Sequence, residues 1–448
     1  MSSLLILGAR LVNEARIEEK DILVDHHGRI ARIDADLSSL RADETIDAAG
    51  HYLLPGLIDD QVHFREPGLT HKATIATESR AAAAGGVTSY MEMPNVNPPT
   101  INMERLREKL AVAARDSAVN YAFHLGASNS NLEDVKTAPT DEIAGVKIFM
   151  GSSTGDMLVD DESALEGIFR HAPAPISTHC EHTPSILENE RLYRERHGES
   201  VPFSAHPEIR SREACLRSSS LAVELAQSHD ARLHVLHLTT KEELALFSDA
   251  PLPGKRITAE ACVHHLHFDD SAYPTLGSLV KCNPAIKTRE DRDAIRQAVN
   301  QGRIDVIATD HAPHAREEKN ATYFQAPAGL PLVQHSLLLL LELWRDKIFS
   351  LETIVQRACH APATLFGARE RGFLREGHHA DLVLVNPDAT TLVTPDTLHY
   401  KCGWSPLEGT RFRSRIAATI VSGQIVYRNG QILDHVRGRQ ISFHKDRR

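Results

Sequence analysis

The chain has 448 residues, 42% of them hydrophobic and 25% charged, the balance of a globular protein longer than one typical domain. Its formal net charge of −10 argues against a nucleic-acid or anionic-membrane surface. Its longest apolar run, 337–341, is far short of the ~20 residues that span a bilayer.

In chain order, residues 1–54 read as short strands separated by Gly and Asp/His turns: Leu4 to Val12, Ile22 to Val24 and Gly28 to Ile33. The N-terminus has no basic region ahead of its apolar stretch, so it reads as a strand and not a signal peptide. Strand-like runs then recur near 54–58, 87–91, 120–125, 145–149, 175–178, 232–236, 257–262 and 304–308. Helical stretches at 72–84, 103–117, 212–228 and 289–301 lie between them. Eight strands alternating with helices predict a parallel (β/α)8 TIM-type barrel over 55–374. The C-terminal part returns to strands, at 381–385 and 416–430. Both ends, 1–54 and 375–448, are therefore expected to build one small β-sandwich domain. The six cysteines (180, 215, 262, 282, 359 and 402) form no CxxC pair and read as reduced thiols of a cytoplasmic protein.

In such a barrel the chemistry sits where strands end. The apolar run from Tyr52 to Ile58 breaks into Asp59-Asp60-Gln61-Val62-His63-Phe64-Arg65. Alternation predicts Asp59, Gln61, His63 and Arg65 on one face and Asp60 on the other. An imidazole there can bind a metal, and a guanidinium can hold a carboxylate through two parallel bonds. Lys147 lies inside the apolar strand Val146-Lys147-Ile148-Phe149. A buried amine must be paired or neutral; a neutral one can react with carbon dioxide to give a carbamate. His179 and His237 end two further strands, while alternation turns His234 to packing and leaves His182 beyond its strand. Asp310 ends the last. Nitrogen and carboxylate donors of this kind suit zinc and related divalent ions. The loop 314–330 is long for a barrel connection and is expected to act as a lid.

Several segments resemble the amidohydrolase superfamily and, within it, the dihydroorotases, over nearly the whole chain. They are Pro55-Gly56-Leu57-Ile58-Asp59 with His63-Phe64-Arg65-Glu66-Pro67-Gly68, Met93-Pro94-Asn95, Gly145-Val146-Lys147, Lys281-Cys282-Asn283-Pro284 and Ala308-Thr309-Asp310-His311-Ala312-Pro313-His314. The resemblance implies His63, His179 and His237 as metal ligands, with carboxylated Lys147 bridging two zinc ions. It implies Asp310 as both ligand and general acid/base. Arg65, Asn95 and His314 would hold a substrate carboxylate, Asn283 would contact the ring, and the Ala328-Gly329 backbone would close over it. The implied reaction interconverts N-carbamoyl-L-aspartate and L-dihydroorotate in pyrimidine synthesis. A homodimer and association with aspartate carbamoyltransferase are further expectations of the resemblance. One position departs from it: the family's first strand ends in His-x-His, and Gln61 stands at the first histidine. An amide oxygen is a poorer zinc ligand, so one or two ions are expected, two being favoured, with the one beside His63 held more weakly. Rival readings are a hydantoinase or allantoinase, and a non-catalytic scaffold subunit for aspartate carbamoyltransferase.

Overall fold

The apolar run from Tyr52 to Ile58, read from sequence as one strand, is divided at Gly56. In the computed structural model, which describes residues 2–151 and 157–446, Tyr52–Pro55 pairs antiparallel with Leu382–Asn386 and parallel with Leu4–Asn13. It thus belongs to a nine-stranded sheet that draws strands from both ends of the chain. Leu57–Val62 pairs instead with Val87–Glu92, in a parallel sheet. The break needs glycine: a Cβ at Gly56 would lie 2.1 to 2.6 Å from the Thr88 side chain.

Leu57–Val62, Val87–Glu92 and Asn120–Phe123 form a three-stranded parallel sheet. Leu125–Gly126, Val146–Phe149, Ile176–His179, Leu233–Val235, Ile257–Cys262 and Val306–Ala308 form a six-stranded one. Asn120–Phe123 and Leu125–Gly126 are one strand interrupted at His124. The His63 amide donates to the His311 carbonyl at 2.7 Å and closes the ring. The fold is a (β/α)8 barrel with a β-sandwich domain beside it. Helix starts follow capping chemistry. Ile75–Ala84 begins three residues later than the apolar pattern suggests, because the Thr74 hydroxyl caps it. Arg289–Gln301 starts at a Thr288–Asp291 capping box and stops at Gly302 in the left-handed conformation. The C-terminal tail returns to the barrel: the Tyr121 amide donates to the Arg439 carbonyl, and Phe443 packs with Ile58, Met91 and Phe366. Among the described residues no helix is long and apolar enough to cross a membrane.

One buried ion pair braces the mouth. Lys109, on the helix Met103–Asp116, lies 3.2 Å from Glu92, and both are sealed from solvent. Glu92 also accepts from the Phe64 amide at 2.9 Å, which fixes the turn between His63 and Arg65. Burial holds the Glu92 carboxyl up at about 7 despite its lysine. Removing one partner of such a pair strands the other charge. Lys109→Met is expected to destabilise the fold by ~3–5 kcal/mol, read as a lower urea midpoint. Adding Glu92→Gln should recover part of the loss.

Candidate active site

The strand ends converge on one small cavity. It is lined by Gln61, His63, Arg65, Asn95, Lys147, Phe149, His179, His237, Asn283, Asp310, Ala312, Ala328 and Gly329. Every site residue picked from the sequence is there except His314.

On the first strand the pairing register shifts between Asp59 and Val62, and strict alternation fails. Asp59 turns away from the cavity, accepting from the Thr309 amide and hydroxyl at 3.2 and 2.6 Å. Asp60 faces His234, 3.2 Å away, with Glu260 behind it. This trio is fully buried, and the two carboxylates outweigh burial to hold the His234 imidazole up at about 9. Gln61, His63 and Arg65 reach the cavity as expected.

Asp310 is the hub. Its Oδ1 lies 3.0 Å from His63 Nε2 and accepts from Gln61 Nε2 at 3.1 Å. The other ring nitrogen of His63 meets Asn95 Oδ1 at 2.8 Å. Arg65, His237 and Asp310 all carry positive φ, at 69°, 41° and 47°. Left-handed backbone at non-glycine residues stores strain and concentrates at functional sites. Here it marks three of the cavity's own residues.

On the facing wall His179 Nδ1 lies 3.0 Å from His237 Nε2. The second nitrogen of His179 meets Glu181 at 3.0 Å, and Glu181 is ion-paired with Arg210. Burial pushes the Glu181 carboxyl up, but Arg210 and His179 more than reverse it, to about 2. Glu181 therefore stays ionised and accepts the His179 Nε2 proton, which leaves Nδ1 bare toward His237. Burial also lowers both imidazoles, His237 the further. The bare Nδ1 of His179 and the Nε2 of His237 thus face each other across 3.0 Å. Lys147 is 1% exposed, and its Nζ has no hydrogen-bond partner. Burial draws its ammonium down to about 7, against the pull of Asp310. An orphaned amine and two facing imidazoles fit a divalent metal whose set is completed by a carboxylated lysine.

Arg65 is sealed in, 2% exposed, and burial lowers its guanidinium to about 10, so it remains a cation at neutral pH. Its Nε donates to the Pro313 carbonyl at 3.1 Å. His314 stands behind it, outside the cavity lining. His314 Nδ1 accepts from Lys72 Nζ at 3.0 Å, its Nε2 faces the Ala328 carbonyl at 3.0 Å, and Arg65 Nη2 lies 3.1 Å from that same nitrogen.

The loop 314–330 is held by buried lysines in this structure. Lys319, with no exposed surface, donates to the Lys281, Pro327 and Gly329 carbonyls at 3.3, 2.8 and 3.0 Å. Lys281 donates to the Tyr323 and Ala326 carbonyls at 2.6 and 2.7 Å. These bonds hold Ala328 and Gly329 in the cavity wall. A cluster of Cys262, His264 and His265 lies next to Gln61 of the lining. Sequence reasoning missed it, and missed Glu181, whose only signal was a carboxylate two residues after a strand-end histidine.

The profile of the amidohydrolase family matches residues 52–426. A dihydroorotase from Methanothermobacter thermautotrophicus is 33% identical over 424 residues, 94% of this chain and 93% of that relative. An allantoinase from Bacillus velezensis is 32% identical over 434 residues, 95% of this chain and 94% of that one. Among solved structures, an L-hydantoinase from Arthrobacter aurescens superposes with a TM-score of 0.93 at 27% identity, covering 99% of this chain and 100% of its own.

Proposed function

The chain belongs to the amidohydrolase family, and from that premise we propose that it is a dihydroorotase, cyclising N-carbamoyl-L-aspartate to L-dihydroorotate and reopening it. The observation that carries the substrate is Arg65. A buried guanidinium in the same cavity as His179, His237, Lys147 and Asp310 suits a cyclic amide that bears a carboxylate, which a plain hydantoin lacks. Asn95 assists at that carboxylate, and Asn283, whose Oδ1 is buried without a partner, can accept from a ring N–H. His314 acts through Arg65 by fixing where the guanidinium sits.

His63, His179, His237, Asp310 and carboxylated Lys147 would hold the metal, zinc being the ion that such donors suit. When bound, it supplies Lewis acidity that polarises a carbonyl and renders water acidic near neutrality. Gln61 is engaged at both ends, by Asp310 and by the Cys262 thiol, so the position beside His63 binds the more weakly of two. In the hydrolytic direction Asp310 takes a proton from the attacking water and returns it to the leaving ring nitrogen. Arg65 orients the ring through its carboxylate. Gly329 and Ala328 exclude bulk water from above. The six cysteines are all free thiols, in keeping with a reducing, cytoplasmic setting.

Arg65→Met tests the reading. Losing one partner of a buried charge pair costs ~2–5 kcal/mol, so the KM for L-dihydroorotate should rise about 30- to 4,000-fold with metal content unchanged. An unchanged KM would remove the carboxylate role. The alternative is another cyclic amidase, favoured by the similarity to the Bacillus velezensis allantoinase. It predicts ring-opening of allantoin that Arg65→Met does not weaken.

A further inference from the structure

The strand Ile257–Cys262 ends in a cysteine and turns at once into the short helix Val263–His267. Cys262, His264 and His265 are 0%, 1% and 3% exposed. The Cys262 sulfur and one ring nitrogen from each histidine lie within 4.8 Å of one another. We propose that these three side chains form a separate site for a zinc-class divalent ion, next to Gln61 of the cavity lining.

The ring nitrogens carry the argument. His265 Nε2 lies 3.1 Å from the Pro284 carbonyl. A carbonyl only accepts, so the proton sits on Nε2 and leaves Nδ1 a bare lone pair. That Nδ1 is buried with no partner. A histidine that gives one N–H to a backbone carbonyl and keeps its other nitrogen buried without a partner has the hydrogen-bonding pattern of a metal ligand. For His264, neither nitrogen makes a hydrogen bond of normal geometry, although the Thr309 carbonyl stands close enough to favour its protonated form slightly. Its ring centroid is 4.0 Å from that of His265. Three buried ring nitrogens without partners destabilise the fold unless something else satisfies them.

The thiol has a route to the thiolate that zinc requires. Cys262 Sγ is 3.3 Å from Glu260 Oε1. On binding, the S–H bond breaks, the proton passes to the Glu260 carboxylate, and the sulfur lone pair forms the bond to the ion. One sulfur and two imidazoles are three of the four donors of a tetrahedral site. Gln61 Oε1, 3.8 Å from the sulfur, is available as the fourth. Glu260 then holds the proton, next to His234 and Asp60. An ion here would also anchor Gln61, whose other end donates to Asp310, and so connect the new site to the catalytic carboxylate.

Cobalt substitution separates this site from the cavity, whose lining includes no cysteine. The full-length protein is loaded with Co(II), and the near-ultraviolet thiolate-to-cobalt charge-transfer band is titrated against metal content. The proposal expects a band that saturates at one equivalent and survives in the His179→Asn/His237→Asn variant. It should vanish in Cys262→Ser, together with one equivalent of metal, and weaken or shift in His265→Gln. No thiolate band in the wild-type cobalt protein would overturn it, whatever the variants do. A band that persists in Cys262→Ser but is lost in Cys282→Ser or Cys180→Ser would overturn it as well. Either failure leaves the reaction proposed above untouched, since that rests on residues of the cavity.

Discussion

Asp310→Ala is expected to lower kcat for L-dihydroorotate by about 10³- to 10⁴-fold, the upper range for loss of a general acid–base. Metal at the His179–His237 pair should be retained. The residue is held from two sides: His63 and Gln61 both bond Oδ1, leaving Oδ2 as the oxygen able to take a proton and return it. Its φ of 47° aims the carboxylate by backbone strain, so the position depends on the turn as much as on the side chain. Asp310→Asn preserves shape and both neighbours yet cannot cycle a proton, and should fall nearly as far. Either variant within tenfold of wild type, at equal metal content, would mean that Asp310 does not carry the proton.

Lys147→Met should be the more damaging change chemically and the milder one structurally. Methionine fills a similar volume, and it removes an amine that burial has left without a partner. The metal-free fold should therefore be as stable as metal-free wild type or more so. Metal content should nevertheless collapse, and turnover with it. Loss of several kcal/mol of charge stabilisation corresponds to about 10³-fold or more. The amine, drawn down to about 7 by burial, is largely uncharged in mildly alkaline buffer and free to add to carbon dioxide. Isotopically labelled bicarbonate should give a carbamate carbon signal in the wild type and none in Lys147→Met. A variant that keeps its metal and its rate would show that the lysine is only a packed amine.

The fold and much of the site were legible because both follow from pattern. An apolar run that ends in a polar residue marks a strand reaching the mouth, and His63, Lys147, His179, His237 and Asp310 each lie in or close such a run. What escaped has local causes. The run from Tyr52 to Ile58 is uniformly apolar, so nothing in its periodicity reveals that one half serves the outer sheet and the other the barrel. Gly56 is the sole cue. Strict alternation misplaced Asp59 because a register shift after it resets the faces, and such a shift leaves no compositional mark. His314 lies outside the cavity lining, 3.1 Å from Arg65, a distinction of a few ångströms that sequence does not encode. The loop 314–330 looked like a lid from its length. It is held in this structure by Lys281 and Lys319, whose burial sequence does not reveal. Cys262, His264 and His265 went unnoticed because a Cys-x-His-His spacing is no standard ligand pattern. Their proximity depends on a helix starting one residue after the cysteine.

The most direct test of the central claim is hydrolysis of L-dihydroorotate by the purified protein supplied with zinc and bicarbonate, followed as loss of ultraviolet absorbance. The account predicts turnover that a chelator abolishes and added zinc restores, with the same preparation cyclising N-carbamoyl-L-aspartate in the reverse direction. Folded, metal-loaded protein that leaves L-dihydroorotate intact while opening allantoin or a hydantoin would contradict it.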